Sequence, residues 1–164
     1  MKAKDIVIIG TMGALLITVQ VALAFMPNVE LVSLLIILFT LVLGYRTVFI
    51  IYTFVICELF IYGFSTWWIN YLYIWLILFL AAMAFRKERS SYFWAFLSGF
   101  YGLSFGALCA IPYYFMGGFP AMAAYWTSGI LFDLVHGIAN FVIALILFPP
   151  LHYLLEKIVL KWDS

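Results

Sequence analysis

Pro27-Asn28-Val29-Glu30-Leu31-Val32-Ser33-Leu34-Leu35-Ile36-Ile37-Leu38-Phe39-Thr40-Leu41-Val42-Leu43-Gly44 decides the fold class. It is an apolar run with one acid near its start. Proline precedes it, and proline cannot continue a helical hydrogen-bond ladder. Glycine closes it. Five similar runs surround it, at about 5–26, 47–62, 69–85, 91–115 and 121–148, with the quoted one at about 29–43. A membrane helix needs about 20 apolar residues, so the second run is short for a full crossing. Alternation with period two is absent, which excludes a membrane β-barrel. The expected fold is all-α and integral to the membrane: six transmembrane helices in a single bundle, one domain over residues 1–164.

Composition agrees. Of 164 residues, 68% are hydrophobic and only 9% charged, where soluble domains carry about 45–50% apolar and about 25% charged residues. The surface a soluble enzyme needs is missing. Disordered tails and disulfide-stapled secreted domains are excluded likewise. A net charge of +1, with no basic run longer than two residues, excludes nucleic-acid binding through a basic patch. Lys2 and Lys4 precede an apolar stretch, as in a secretion signal. That stretch is too long for a signal core and lacks a small-x-small cleavage site, so it reads as a retained first helix. Cys57 and Cys109 fall inside spans and read as packing residues.

Six helices place both termini on one side. Lys2, Lys4, Arg46, Arg86, Lys87, Arg89, Lys157 and Lys161 then all lie on that side, and the three opposite connections hold no basic residue. The positive-inside rule makes that side cytoplasmic. The expected location is the bacterial plasma membrane, with both termini inside. Residues 150–161, after Pro149-Pro150, read as a separate interfacial helix.

Charges inside a bilayer cost about 2.5–3.5 kcal/mol on insertion scales and face a bundle interior or cavity. Three acids fall in or beside the outer half. Glu30 opens the second helix, where a first-turn acid also suits the positive helix end. Glu58 sits about 7–8 Å below the outer end of the third helix, too deep for capping. Asp133 is deeper in the sixth. Trp126, Gly129, Asp133, Gly137 and Asn140 repeat at spacings of three and four, predicting one helical stripe with His136 on its edge. Such a stripe faces protein or water. The plain structural reading is interhelical hydrogen bonding, worth about 0.6 kcal/mol each; the other is a ligand pocket. The outer rim adds Trp67, Trp68, Tyr71, Tyr125 and Trp126, with Asn28 and Asn70. Aromatics enrich at any membrane interface, but flat walls with a few polar groups also describe a small-molecule site. Without outer lysine or arginine, a neutral, cationic or aromatic solute fits better than a polyanion.

Two stripes of small residues permit close helix approach: Gly10, Ala14, Thr18 and Ala22, and Ser98, Gly102, Gly106 and Ala110. One suits the bundle interior and one an external helix. No phosphate-binding GxxxxGK[ST] loop and no HExxH are present, so ATP hydrolysis is not expected of this chain.

Four stretches carry a family resemblance: Pro27 to Leu35; Trp67-Trp68-Ile69-Asn70-Tyr71-Leu72-Tyr73; Phe105-Gly106-Ala107-Leu108-Cys109-Ala110-Ile111-Pro112-Tyr113; and Tyr125-Trp126 with Phe132-Asp133. Over nearly its whole length the chain resembles the substrate-binding S components of energy-coupling factor (ECF) transporters, among them a group of unassigned substrate. The resemblance implies capture of a vitamin or related micronutrient near the outer face, gated by the loop between helices one and two. It implies a transmembrane coupling subunit and two ATPase subunits as separate chains, with toppling of the S component as the transport step. The family's helix-one AxxxA contact is matched most nearly by Gly10 and Ala14, extended by Thr18.

The expected ligand-lining set is Asn28, Glu30, Glu58, Trp67, Trp68, Asn70, Tyr71, Tyr125, Trp126, Asp133 and His136. No catalytic residue, metal or cofactor is assigned. Two other readings stay open: a stand-alone small-solute channel or secondary carrier, and a small intramembrane enzyme or metal site using Asp133 and His136.

Overall fold

A computed structural model describes the backbone of residues 3–163 and the side chains of residues 3–159. Lys2 and the Lys161 side chain, both used above for orientation, lie outside the described residues. The described residues form seven helices and no strand: α1 (Ala3–Leu23), α2 (Val32–Leu43), α3 (Arg46–Tyr62), α4 (Thr66–Ala84), α5 (Ser91–Cys109), α6 (Ile111–Ser128) and α7 (Ile130–Asp163). Four are long and apolar enough to cross a membrane, by length and composition: α1, α4, α5 and the Ile130–Val159 part of α7.

The quoted stretch forms the centre. Every residue from Val32 to Thr40 is buried, and α2 touches α1, α3, α4, α5 and α7. A helix apolar on all faces belongs inside others. With 12 residues it is about 18 Å long, while α1, α4 and α5 have 19 to 21 residues. A hollow lies beyond each of its ends. At its C-terminal end, Leu41 borders one lined by Arg86, Lys87, Arg89 and His152. At its N-terminal end is the candidate site.

Local chemistry sets most boundaries. Gly44 (φ 59°) and Gly63 (φ 79°) end α2 and α3 in conformations that favour glycine. Ser65 and Ser90 cap α4 and α5, their hydroxyls accepting the Trp68 and Phe93 N–H groups. The Ser65 cap starts α4 three residues earlier than residue 69, the expected start.

Three expectations need correction. The helix expected over 91–115 divides at Ala110. Pro112 has no N–H for the Leu108 carbonyl, and the Tyr73 hydroxyl donates to that carbonyl instead, at 2.7 Å. The following α6 is broken at Gly117 and Gly118 (φ 69°), and none of its residues is buried. Second, the helix expected from residue 121 starts at Ile130, after a turn at Gly129. Trp126 therefore leaves the predicted stripe. Gly129, whose carbonyl accepts the Asp133 N–H at 3.0 Å, stays at its start, and Asp133, His136, Gly137 and Asn140 stay together on α7, all buried. Third, the tail is not a separate helix, because α7 runs through Pro149 and Pro150. Buried Phe148 and Leu155 hold the chain on both sides of the prolines, and His152 stacks on Phe148 with centroids 5.4 Å apart.

The α5 small-residue stripe is used inside the bundle. A Cβ on Gly102 would lie 2.9 Å from Gly137 Cα, and one on Gly99 would lie 2.9 Å from Phe141 Cβ. As position rises along α5 it falls along α7, so the pair is antiparallel and crosses backbone to backbone. The α1 stripe differs: Gly10, Ala14, Thr18 and Ala22 are exposed, and a Cβ on Gly10 meets nothing within 4 Å. Gly102→Ala is therefore expected to destabilise the fold by about 1–3 kcal/mol, whereas Gly10→Ala is neutral or mildly stabilising. Detergent-solution unfolding of the two variants checks this contrast.

Candidate functional site

The N-terminal end of α2 opens into a hollow of about 330 Å³. Helix ends place it: residues near the ends of α1, α3 and α5 and near the starts of α4 and α7 line it, with the connection leading into α2. The connection between α1 and α2 folds over it, turning at Asn28 (φ 67°), a residue that tolerates this region. Asn28, Glu30, Glu58, Trp67, Tyr71 and His136 line it. A second hollow, about 290 Å³, is lined by Tyr125 and Asp133 and shares the Trp67, Phe105 and Phe132 rings with the first. No lysine or arginine lines either.

Each carboxylate has a different setting. Glu30 Oε2 accepts the Ser33 N–H at 2.8 Å, satisfying one amide that the start of α2 leaves without a helical partner. Its Oε1 lies 3.4 Å from His136 Nε2, which ties the covering loop to α7. Glu30 thus lies just ahead of α2, holds its start through the Ser33 amide and borders the hollow. Glu58 is 4% exposed, and its Oε1 has no hydrogen-bond partner among the described residues. Asp133, also 4% exposed, accepts the Gly106 N–H on Oδ1 at 2.9 Å. Glycine at 106 makes that approach possible, since a Cβ there would strike the Asp133 carboxylate. The Trp126 indole approaches the same carboxylate without reaching hydrogen-bond geometry at Oδ2.

Rings connect these groups. Centroids lie 5.3 Å apart for Trp67–Tyr71, 5.2 Å for Tyr71–Trp75 and 4.9 Å for Phe105–His136, within the usual range for aromatic pairs. Gln20 reaches the Tyr71 hydroxyl at 3.3 Å.

Three expected residues line neither hollow. Trp68 donates its indole N–H to the Val55 carbonyl at 2.9 Å. Asn70 is buried, its side-chain amide 3.0 Å from the Tyr73 hydroxyl. Trp126 is 43% exposed on α6. Gln20, Trp75, Phe105 and Phe132, which do line hollows, are absent from the expected set. Among the described residues no group of three His, Cys, Asp or Glu side chains is placed to hold a metal ion; Glu58 and Asp133 stand in different hollows. Cys57 and Cys109 are both free thiols.

No protein-family model, curated protein or solved structure matches this chain.

The Glu30–His136 contact gives a test of how the loop is held. His136→Ala is expected to cost about 1–3 kcal/mol, because it strips a partner from a mostly buried carboxylate. It should also speed hydrogen exchange over residues 24–31 while leaving the α3 and α4 amides protected. Mass-spectrometric exchange on the purified chain checks both.

Proposed function

We propose that this chain is the substrate-capturing membrane subunit of an ECF-type importer in a bacterial plasma membrane. It takes up a vitamin or related micronutrient from the extracellular side. In this reading α1, α2, α3, α4, α5 and α7 are the six crossings and both termini are cytoplasmic. The short α2 is completed at its outer end by the covering loop, and α6 lies at the outer surface.

One observation carries the reading: an aromatic hollow holding the partly buried Glu30 and the buried Glu58 sits at the end opposite the basic residues. Lys4, Arg46, Arg86, Lys87, Arg89 and Lys157 occupy the start of α1, the start of α3, the α4–α5 connection and the end of α7. Charge this deep is costly unless it serves a cavity or a partner. The positive-inside rule then turns the hollow outward. A pocket of this size, with aromatic walls and few polar groups, suits one small molecule.

The chain's own residues do the binding work. Glu58 offers a carboxylate to a donor on the ligand, and Trp67, Tyr71 and Trp75 give it flat walls. The Glu30–His136 contact closes the loop over it. The energy for transport comes from two ATPase subunits through a coupling subunit, on separate chains. The uncovered α1 face of Gly10, Ala14 and Thr18 is the proposed contact with the coupling subunit. The Thr18 hydroxyl donates back to the Ala14 carbonyl at 2.8 Å, so that face presents little free polarity to a helix laid against it.

Two expected outcomes test this. Native mass spectrometry of the purified chain should find a co-bound small molecule. Glu58→Ala should weaken its retention by about tenfold or more with the helical fold intact; unchanged retention removes Glu58 from the site. Ala14→Leu should abolish co-purification with a coupling subunit while leaving ligand retention unchanged. In liposomes, uptake by the chain alone without ATPase partners would identify a self-sufficient carrier instead.

A further inference from the structure

The charge count of the two hollows narrows the ligand beyond a small solute. Glu30 is engaged on both oxygens, by Ser33 and by His136. That leaves Glu58 in one hollow and Asp133 in the other, both 4% exposed. Glu58 Oε1 and Asp133 Oδ2 lack hydrogen-bond partners among the described residues. No lysine or arginine lines either space, and His136, which lines the first, is engaged by Glu30. A buried carboxylate without a counter-charge is strongly unfavourable; it either takes up a proton or is compensated by a cation, and a ligand entering the hollow can supply that cation.

Shape adds a second, independent constraint. The hollows are small, about 330 and 290 Å³, and Trp67, Phe105 and Phe132 are walls of both. A molecule reaching both carboxylates passes these rings, which suits a narrow methylene chain better than a broad ring system. Aromatic faces also favour an ammonium group beside them. A singly charged ligand would leave one of the two carboxylates uncompensated.

We propose that the two hollows form one elongated site for a linear di- or polyamine. One ammonium group sits on Glu58 and a second on Asp133, and the methylene chain lies along Trp67, Phe105 and Phe132. Gly106 acts as a positioning residue, because its amide orients Asp133 toward the second hollow. This assignment rests on reading the hollow as a capture site and names the class of substrate captured there.

Calorimetry on the full purified chain tests it, with putrescine, spermidine and butylamine as probes. The wild-type chain should bind the two polyamines at least about tenfold more tightly than butylamine, because only they satisfy both carboxylates. E58Q and D133N, which keep side-chain shape, should each erase that preference. Equal affinity for putrescine and butylamine in the wild type overturns the proposal without recourse to any variant, and so does a preference that survives in folded D133N. If another small molecule is found bound and no amine competes with it, the polyamine assignment fails and the capture reading stands. If no small molecule of any class is bound or retained, both fail.

Discussion

The structure depends on one constraint: a short helix buried on every side. The α2 helix has no polar face, so it is stable only where five neighbours cover it, and they close around it as a bundle. Its 12 residues do not match the length of those neighbours. The mismatch is not filled by extending α2, because Gly44 ends it and the chain before it turns at Asn28 (φ 67°), with Glu30 taking the Ser33 amide. Space is left at both ends, and the chain treats the two spaces differently. One receives Arg86, Lys87 and Arg89 from the α4–α5 connection, together with Glu88 and Glu156. The other receives acids and rings.

The acid-lined end is built by pairing small residues with charged ones. Gly102 and Gly137 bring α5 and α7 into backbone contact, and one turn further along Gly106 admits the Asp133 carboxylate to its own amide. The same absence of side chains that permits close packing thus permits a buried acid to be oriented. Tyr73 plays a comparable part where α5 ends, supplying a hydroxyl to the carbonyl that Pro112 leaves without a donor. In each case a polar backbone group inside an apolar bundle is satisfied by a specific side chain, as burial demands.

Much of this was legible in the sequence because it rests on local chemistry. Gly44, Gly63 and the Arg86–Ser90 connection mark helix ends directly, and α3 and α5 start within one residue of expectation, while α2 starts three residues later and α4 three residues earlier than expected. The acids were recognisable because carboxylates inside apolar runs have few stable settings. What failed to show was tertiary. The region of α6 carries no charged residue, so the flanking apolar runs extend into it in the sequence, although α6 itself is not among the helices long and apolar enough to cross a membrane; the loss of the Pro112 donor and the double-glycine break divide it. Pro149-Pro150 reads as a stop by propensity, yet burial of Phe148 and Leu155 overrides it. Phe105, Phe132 and Trp75 carry no signal that separates them from ordinary core or lipid-facing residues, whereas Gln20, a polar amide inside the first apolar run, does carry one. Trp68 and Asn70 carried the right chemistry but satisfy backbone and neighbouring side-chain partners.

Glu30 joins two matters usually kept apart. The same carboxylate that borders the cavity also tethers the first turn of the innermost helix. Occupancy and folding are thereby thermodynamically linked: a guest that favours the closed loop adds its binding free energy to the stability of the native state, by RT ln(1 + [L]/Kd). At about a hundredfold excess over its dissociation constant that is about 2.7 kcal/mol, a large share of what holds a small domain together. Heat resistance of the empty chain thus becomes a direct readout of whatever enters it.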